Sequence, residues 1–310
     1  MNNNYGDNMC TSILLRGIRN LFGRNLDVFH SYNENIIFIP RQHKIQFKKS
    51  ESFNNHFSIL GIGMYYDNYP FLFDAINEKG IGMSCLNFVN NAHYFDFKKN
   101  KINLTYYELI LYLLGKCSSL KEVKEELDDI NLINEAYDNS MIISQLHFMV
   151  SSKEGSLVIE STIDGLRVYD NFFDVLTNNP DFSYHSNNIN NYSNLTLKNP
   201  KKYISLGQGL IGLPGDYSSI SRFIKAFFVK KYILLEKLEE FDNVNQFFYV
   251  LDSVLMPKGL VKENDEYEYT LYSVCYDLDN FSLFYRTYDD RRNKEFKINS
   301  RESVISIFKI

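Results

Sequence analysis

Residues 10–27 of the chain read CTSILLRGIRNLFGRNLD. Two apolar runs in this stretch are separated by a short polar segment, and a β-branched run, Asn35 to Ile39, follows and ends at Pro40. This spacing predicts two antiparallel strands joined by a turn. The turn brings Arg24 and Asp27 back beside Cys10.

Cys10 has the properties of a nucleophile that becomes the first residue of its chain. A free α-amine titrates near ~7.7 to 8.0 and a free thiol near ~8.5, so one terminal cysteine supplies both the attacking atom and a base. A guanidinium such as that of Arg24 lowers a thiol pKa, and a carboxylate such as that of Asp27 orients the amine. The alternative for Arg24 and Asp27 is a surface ion pair of little energetic value.

Further motifs follow in order along the chain. They are Asn77-Glu78-Lys79-Gly80, Leu86-Asn87-Phe88, Val175-Leu176-Thr177-Asn178-Asn179-Pro180, Gly207-Gln208-Gly209, Gly212-Leu213-Pro214-Gly215-Asp216 and Ser221-Arg222-Phe223. Together with Cys10-Thr11 and FGRNLD they resemble the choloylglycine hydrolases, which comprise bile salt hydrolases and penicillin V acylases within the N-terminal-nucleophile hydrolase superfamily. The resemblance runs from Cys10 nearly to the end of the chain.

The patterns of strands and helices predict an α+β fold. Helices are expected from Thr105 through Cys117, after a capping box of Ser119 and Glu122, from Ser218 to Glu240, and from Val244 to Leu255. The resemblance implies that these elements form a four-layer αββα sandwich of the N-terminal-nucleophile type. No linker, composition break or repeat divides residues 10–310, which we expect to form a single domain.

The asparagine-rich residues 186–194 leave two interpretations open. Asparagine tolerates turn conformations, which predicts a solvated loop. The resemblance implies instead a segment that makes contacts in a homotetramer, since relatives use an excursion here for assembly.

The charge and the cysteine content of the chain argue against several classes of function. The net charge of −5 and pI near 5.7 argue against nucleic-acid binding. The four cysteines have neither disulfide-framework nor metal-ligand spacing, so no metal or other cofactor is expected. Residues 1–8 lack the features of a secretory signal, and no apolar run reaches the length of a membrane span. These observations predict a cytoplasmic enzyme without a membrane partner.

The resemblance implies a role for each catalytic candidate. Cys10 attacks an amide carbonyl after the free amine, directly or through water, has taken its proton. The Asn178 side chain and the Asn87 backbone N–H hold the oxyanion, and Arg222 lies in the active site. Water then hydrolyses the thioester. Asn178 is otherwise an Asx-turn residue before Pro180, and Arg222 otherwise a structural ion-pair partner.

The start of the active chain also has two interpretations. Nine residues precede Cys10, whereas in the simplest family members the cysteine follows the initiator methionine directly. Either Met9 is the true start and an aminopeptidase exposes Cys10, or residues 1–9 form a propeptide that Cys10 removes by attacking its own peptide bond. Both interpretations predict an active chain that begins at Cys10.

The expected substrate is a glycine- or taurine-conjugated bile salt. Within the family, bile salt hydrolases tend to have asparagine where penicillin V acylases have tyrosine, and Asn87 stands at that position. Penicillin V, other N-acyl compounds such as acyl-homoserine lactones, and binding without cleavage are the alternatives. The candidate substrate-binding side chains are Met64, Tyr66, Phe71 and Leu146.

Overall fold

A computed structural model describes residues 8–198, 209–233, 240–263, 265–298 and 303–310. Gly207 and Gln208 of the predicted motif lie outside these ranges, as do residues 234–239 of the helix expected to extend to Glu240. The described part contains strands β1 to β17, which in chain order are Cys10–Leu15, Leu21–Val28, Asn35–Ile39, Ile59–Tyr66, Tyr69–Asn77, Gly82–Asn87, Ile102–Thr105, Ile130–Ile133, Leu146–Ser152, Gly155–Thr162, Gly165–Asp170, Val175–Leu176, Val261–Glu263, Glu266–Asp277, Ser282–Thr287, Lys294–Lys297 and Ser306–Lys309.

The α-helices among the described residues are α1 to α5, which are Leu109–Lys116, Leu120–Leu127, Phe182–Asn188, Ser219–Tyr232 and Glu240–Asp252. A 3₁₀ turn, Ile189–Tyr192, follows α3. None of these helices combines the length and apolar character needed to cross a lipid bilayer.

Two antiparallel sheets form the centre of the molecule. The first has the order β12-β1-β2-β14-β15-β16, with β13 paired to β14, and the second has the order β11-β10-β9-β6-β5-β4-β3-β17. Helices α4 and α5 pack on the outer face of the first sheet, and α1 and α2 pack on the second. The fold is thus a four-layer αββα sandwich, which confirms the predicted fold class.

The two sheets approach closely where β6 crosses β2. Phe22 of β2 is fully buried, and a Cβ atom added to Gly82 of β6 would lie 2.4 Å from its ring. Glycine at position 82 therefore allows the sheets to pack against each other. The two strands in this contact also carry catalytic candidates, Arg24 and Asp27 on β2 and Asn87 on β6.

The hairpin between β5 and β6 agrees with the predicted turn. Asn77 ends β5, and its side-chain oxygen accepts hydrogen bonds from the N–H groups of Lys79 and Ile81, both at 3.0 Å. Gly80 has φ of +80°, a left-handed conformation that glycine adopts without steric cost. The motif therefore has a structural role in the turn.

Helix α1 begins later than its sequence pattern predicts. Thr105 ends β7, which pairs in parallel with β8, and the helix starts at Leu109. The capping residue of α2 is Ser119 as predicted, and its hydroxyl accepts from Glu122 N–H at 3.2 Å. The Glu122 carboxylate, however, accepts from Ser118 N–H at 2.7 Å and not from Ser119, so the capping box is shifted by one residue.

The asparagine-rich segment is helical over residues 186–192, so the prediction of a loop there was wrong. Helix α3 starts after Asp181, whose carboxylate accepts from Tyr184 N–H at 2.8 Å. Phe182 and His185 are buried on one side of this helix. Burial of these two side chains and the N-cap outweigh the weak helix propensity of the asparagines.

Candidate active site

Cys10 is the first residue of β1 and lies at the edge of the gap between the sheets. Its register pairs it with Leu26 of β2, and Ser12 with Arg24, so the side chains of Cys10 and Arg24 share the inner face. Thr11 and Asp27 alternate to the outer face, beneath α4 and α5. The backbone of Cys10 therefore lies between the candidates on the inner face of the sheet and those on its outer face.

Arg24 contacts the Cys10 thiol directly. Its Nη2 donates to Cys10 Sγ, and its Nη1 donates to the backbone oxygens of Cys85 and, at 3.3 Å, Phe73. Burial raises the pKa of the Cys10 thiol, and the Arg24 charge acts in the opposite direction. A buried guanidinium in contact with sulfur favours the thiolate, which is the reactive form.

Asp74 completes the surroundings of Arg24, although no sequence motif marked it. Its carboxylate is fully buried, lies 3.9 Å from Arg24 Nε, and accepts from the hydroxyls of Tyr272 at 2.5 Å and Tyr276 at 2.6 Å. A register shift in the pairing of β4 with β5 directly precedes Asp74 and turns it toward the other sheet. The carboxylate balances the buried guanidinium charge.

Asp27 lies on the outer face with only one of its oxygens satisfied. Thr270, which pairs directly with Asp27 and immediately precedes a β-bulge, donates to Asp27 Oδ1 at 2.5 Å. Oδ2 is buried and makes no hydrogen bond to any described residue. Burial raises the pKa of Asp27 to about 6, while Arg222 and Thr270 act in the opposite direction. A buried orphan acceptor next to Cys10 fits a positively charged donor such as an α-ammonium.

Because the pKa of Asp27 is raised, we expect the Asp27→Asn substitution to increase the stability of chains that keep residues 1–9, by an amount that depends on pH. Between 3.8 and about 6 the folded chain binds more protons than the unfolded chain, so stability falls as pH rises through this window. The shift corresponds to roughly 3 kcal/mol. In a Cys10→Ala background, Asp27→Asn should therefore raise the free energy of unfolding by up to about that amount at pH 7.

Urea denaturation at several pH values measures this effect. The gain should disappear below the ordinary aspartate pKa, where both chains have a neutral side chain. Asp216→Asn is a control of opposite sign, because hydrogen bonds from Ser218 and Ser221 lower the pKa of Asp216 to about 2. A gain from Asp27→Asn that is equal at all pH values would contradict the assignment.

Asn178 links the candidates through both ends of its side-chain amide. Its Oδ1 accepts from the Cys10 backbone N–H at 2.6 Å and from Arg222 Nη2 at 3.0 Å. Its Nδ2 donates to Asn87 O at 2.9 Å and to Asn8 O at 3.2 Å. The amide N–H₂ thus already binds a carbonyl oxygen of the segment that precedes Cys10.

Arg222 reaches the site from the first turns of α4. Ser218 caps this helix by accepting from Ser221 N–H, and Arg222 Nε donates to Tyr217 O at 3.0 Å. Nη1 donates to Cys10 O and, at 2.7 Å, to Thr11 Oγ1. Arg222 therefore holds the backbone of Cys10, whereas Arg24 holds its sulfur.

The backbone N–H of Asn87 lies on the same edge of β6 as the Asn87 carbonyl oxygen, which accepts from Asn178 Nδ2. Phe88 N–H donates to Gln145 O at 2.8 Å, and N–H groups alternate in direction along an antiparallel strand, so that of Asn87 faces away from β9. The pairing of β5 with β6 ends at Ser84. The N–H of Asn87 is thus a donor that pairs with neither β5 nor β9.

An apolar cavity of about 280 Å³ opens beside the Cys10 thiol. Met64, Phe71 and Leu146, three of the four predicted substrate-binding residues, line it. Tyr66 does not: it is 43 % exposed and packs edge-on against Tyr137. The remaining aliphatic and phenyl side chains of the wall are Leu26, Val28, Leu72, Phe73, Ile110, Met141, Ile142 and Phe148.

The sequence profile of the linear amide C–N hydrolases, choloylglycine hydrolase family, matches residues 10–303. The chain belongs to this family. The match begins at Cys10, the residue against which the other candidates converge. As a choloylglycine hydrolase family member, the protein is a hydrolase of linear amide C–N bonds.

Individual relatives agree with this assignment. The chain is 42 % identical over 301 residues to a bile salt hydrolase/transferase from Lactiplantibacillus plantarum, a match that covers 94 % of this chain and 93 % of that protein. It superposes with a TM-score of 0.89 on the crystal structure of a mutant conjugated bile acid hydrolase from Clostridium perfringens, with 32 % identity and 97 % of each chain covered. A penicillin V acylase from Agrobacterium tumefaciens, 17 % identical, has the same fold with a TM-score of 0.76, covering 93 % of this chain and 86 % of that chain.

The residues before Cys10 occupy part of the candidate active site. Asn8 lines the cavity, and its side chain donates to the Tyr32 hydroxyl at 3.0 Å. Met9 N–H donates to the buried Glu268, and Met9 O accepts from Asp27 N–H at 3.1 Å. Tyr32 and Glu268 stand in no motif, so only the structure shows that they contact this segment.

No group of three or more histidine, cysteine, aspartate or glutamate side chains with metal-binding geometry occurs in the described ranges. All four cysteines, which fall within them, are buried and free. The charged residues around Cys10 instead interact in pairs. Arg24 forms an ion pair with Asp74, and the positive charge of Arg222 lowers the pKa of Asp27.

Proposed function

We propose that this protein hydrolyses the amide bond of glycine- or taurine-conjugated bile salts, with Cys10 as nucleophile. The observation that carries the proposal is the direct contact of Arg24 with Cys10 Sγ at the mouth of an apolar cavity. The relatives named bile salt hydrolase/transferase and conjugated bile acid hydrolase support this choice of substrate. A rigid apolar steroid fits a wall of aliphatic and aromatic side chains.

Removal of residues 1–9 is the step that activates the site in this proposal. Cys10 Sγ attacks the carbonyl carbon of Met9, the Met9–Cys10 C–N bond breaks, and the thiol proton ends on the departing nitrogen. Water then hydrolyses the resulting thioester to release the Met9 carboxylate. The hydrogen bond from Asp27 N–H to Met9 O polarises the carbonyl under attack. If Met9 is the true start, an aminopeptidase produces the same terminus.

The freed amine then serves each catalytic cycle. Asp27 Oδ2, which has no partner among the described residues, and Asn178 Oδ1 accept its hydrogen atoms. The amine takes the proton of the Cys10 thiol, Sγ attacks the substrate carbonyl, and the proton passes to the leaving glycine or taurine nitrogen. Water, activated by the same amine, hydrolyses the thioester and releases the bile acid.

Two donors stabilise the tetrahedral intermediate. Departure of Asn8 frees Asn178 Nδ2 from the leader carbonyl that it binds at 3.2 Å. The Asn87 N–H, which faces away from β9, is the second donor. Such donors act on charge that exists only near the transition state and therefore raise kcat more than they lower KM.

Rates on glycocholate, taurocholate, penicillin V and an acyl-homoserine lactone test the proposal. We expect the two bile salts to give the highest kcat/KM, and amino-terminal sequencing of the active protein to begin at Cys10. Penicillin V as the best substrate would replace the proposed substrate but keep the mechanism. A fully active protein that retains residues 1–9 would contradict the role of the amine.

The cavity wall predicts which of two neighbouring residues affects substrate binding. Leu146→Ala should raise KM for bile salts roughly tenfold, because complete burial of a leucine side chain contributes about 1.5 to 3 kcal/mol and 1.4 kcal/mol is a factor of ten. Tyr66→Ala is the control and should change KM less than about twofold. Equal effects of the two substitutions in steady-state kinetics would show that the substrate binds elsewhere.

We further propose that the protein is a cytoplasmic homotetramer. The mechanism requires a reduced Cys10 thiol, which the cytoplasm maintains. The resemblance to the choloylglycine hydrolases supports the tetramer, with residues 186–194 at a contact between subunits. Light scattering on the protein as it elutes from a size-exclusion column measures the oligomeric state.

A further inference from the structure

The loop that carries Asn178 lies between β12 and α3, and side chains rather than a sheet hold its backbone. Asn178 N–H donates to Ser219 Oγ at 2.9 Å. Two buried histidines, His147 and His185, contact the carbonyl oxygens of Thr177 and Asn178. Consecutive backbone groups of the loop thus each have a dedicated side-chain partner.

His185 holds the carbonyl of Asn178 itself. Its Nε2 lies 2.9 Å from Asn178 O, and because a carbonyl oxygen only accepts, Nε2 bears the proton. The side chain is completely buried, and its ring stacks on that of Phe223 at 4.7 Å. Burial lowers the pKa of His185 to about 4, so the imidazole is neutral and keeps a single defined donor.

His147 holds the preceding carbonyl in the same way. Its Nε2 lies 2.8 Å from Thr177 O, and its ring is parallel to that of Phe88 at a centroid distance of 4.5 Å. Its Nδ1 lies 3.3 Å from Glu160 Oε1, which also accepts from Phe182 N–H at 2.8 Å. The start of α3 and the Asn178 loop are therefore connected through one buried polar network.

We infer that His185 and His147 are positioning residues, which fix the Asn178 loop so that Nδ2 of Asn178 points at the oxyanion. The inference rests on the proposed function, since it presupposes that Asn178 stabilises the tetrahedral intermediate. An oxyanion donor acts only within about 2.7 to 3.1 Å of the developing charge, so a small displacement of its loop lowers the rate. The two histidines act through the backbone and do not contact the substrate.

The decisive variant is His185→Phe, which keeps the ring stacked on Phe223 but removes the donor to Asn178 O. We expect kcat for a bile salt to fall roughly 10- to 100-fold with KM within about threefold, because an oxyanion contact is made in the transition state. His185→Gln places an amide N–H near the former Nε2 and should recover most of the lost kcat. Loss of activity in both variants without recovery by glutamine would overturn the inference.

His56→Phe is the matched control for loss of a buried histidine. His56 is also buried and contacts two backbone oxygens, of His43 and Phe57, at 2.8 and 2.7 Å, but its loop carries no active-site residue. Its substitution should lower the thermal midpoint and leave kcat unchanged. If His56→Phe lowers kcat as strongly as His185→Phe, general destabilisation explains both effects and the inference fails.

A double-mutant cycle with Asn178→Ala separates the inference from the proposed function. If His185 acts only through Asn178, then His185→Phe should lower kcat less than threefold in the Asn178→Ala background. Full additivity of the two losses would overturn the positioning role. A single Asn178→Ala variant of undiminished kcat would instead refute the oxyanion role in the proposed function and, with it, the premise of the inference.

The rate of Cys10 alkylation by iodoacetamide provides an independent readout. Alkylation requires the thiolate but no oxyanion donor, so His185→Phe and His147→Gln should alkylate within about twofold of the unmodified protein. A strongly reduced alkylation rate would show that the histidines support the nucleophile rather than Asn178 and would overturn the assignment.

Discussion

Replacement of Cys10 by alanine is expected to abolish amide hydrolysis, with a loss of roughly 10⁵- to 10⁶-fold in kcat, because it removes the only atom that forms the acyl intermediate. The same substitution should leave residues 1–9 attached when the chain is expressed from Met1. Intact mass and amino-terminal sequencing measure the second effect, and glycine or taurine release measures the first.

Cys117→Ala is the matched control for this substitution. Cys117 is a buried free thiol at the end of α1 that neither lines the cavity nor contacts Arg24. Its alanine variant should be processed and should retain activity. If Cys10→Ala protein still lost residues 1–9, another protease would be responsible for the cleavage, whereas retained hydrolysis by that variant would rule out Cys10 as the nucleophile.

The second large effect is expected from Asn178→Ala, which should lower kcat by about 100- to 1000-fold, as is typical for the loss of one oxyanion donor. KM should change much less, since the ground-state carbonyl binds this donor more weakly than the oxyanion does. The variant also loses the acceptor for the Cys10 N–H, so removal of residues 1–9 should slow as well.

Mass spectrometry of samples taken from the expression culture at successive times measures the removal of residues 1–9. Steady-state kinetics on glycocholate measures kcat. Asn131→Ala is the control, because Asn131 is a buried asparagine of β8 that donates to Asp96 O and Asn103 Oδ1 in a sheet without site residues. A comparable fall of kcat in this control would mean that loss of stability, and not of the oxyanion donor, explains the Asn178 result.

Much of the fold follows from local patterns. The strands β1 and β2, the turn at Asn77 to Gly80 and the cap at Ser119 have signals within a few residues of one another, and the structure contains all of them. The predicted helix start at Thr105 and the predicted loop at residues 186–194 were wrong, because the pairing of β7 with β8 and the burial of Phe182 and His185 depend on distant parts of the chain.

The sequence placed Arg24 and Asp27 beside Cys10, because one short hairpin with a local register carries them. Asn178 and Arg222 were assigned to the site only because their motifs resemble those of the choloylglycine hydrolases. Tertiary structure alone shows which side chains support them. Asp74, Thr270, His147 and His185 are single residues without a motif, and they reach the site only because two sheets and their outer helices pack together. Their partners are far apart in the chain, so no local pattern encodes these contacts.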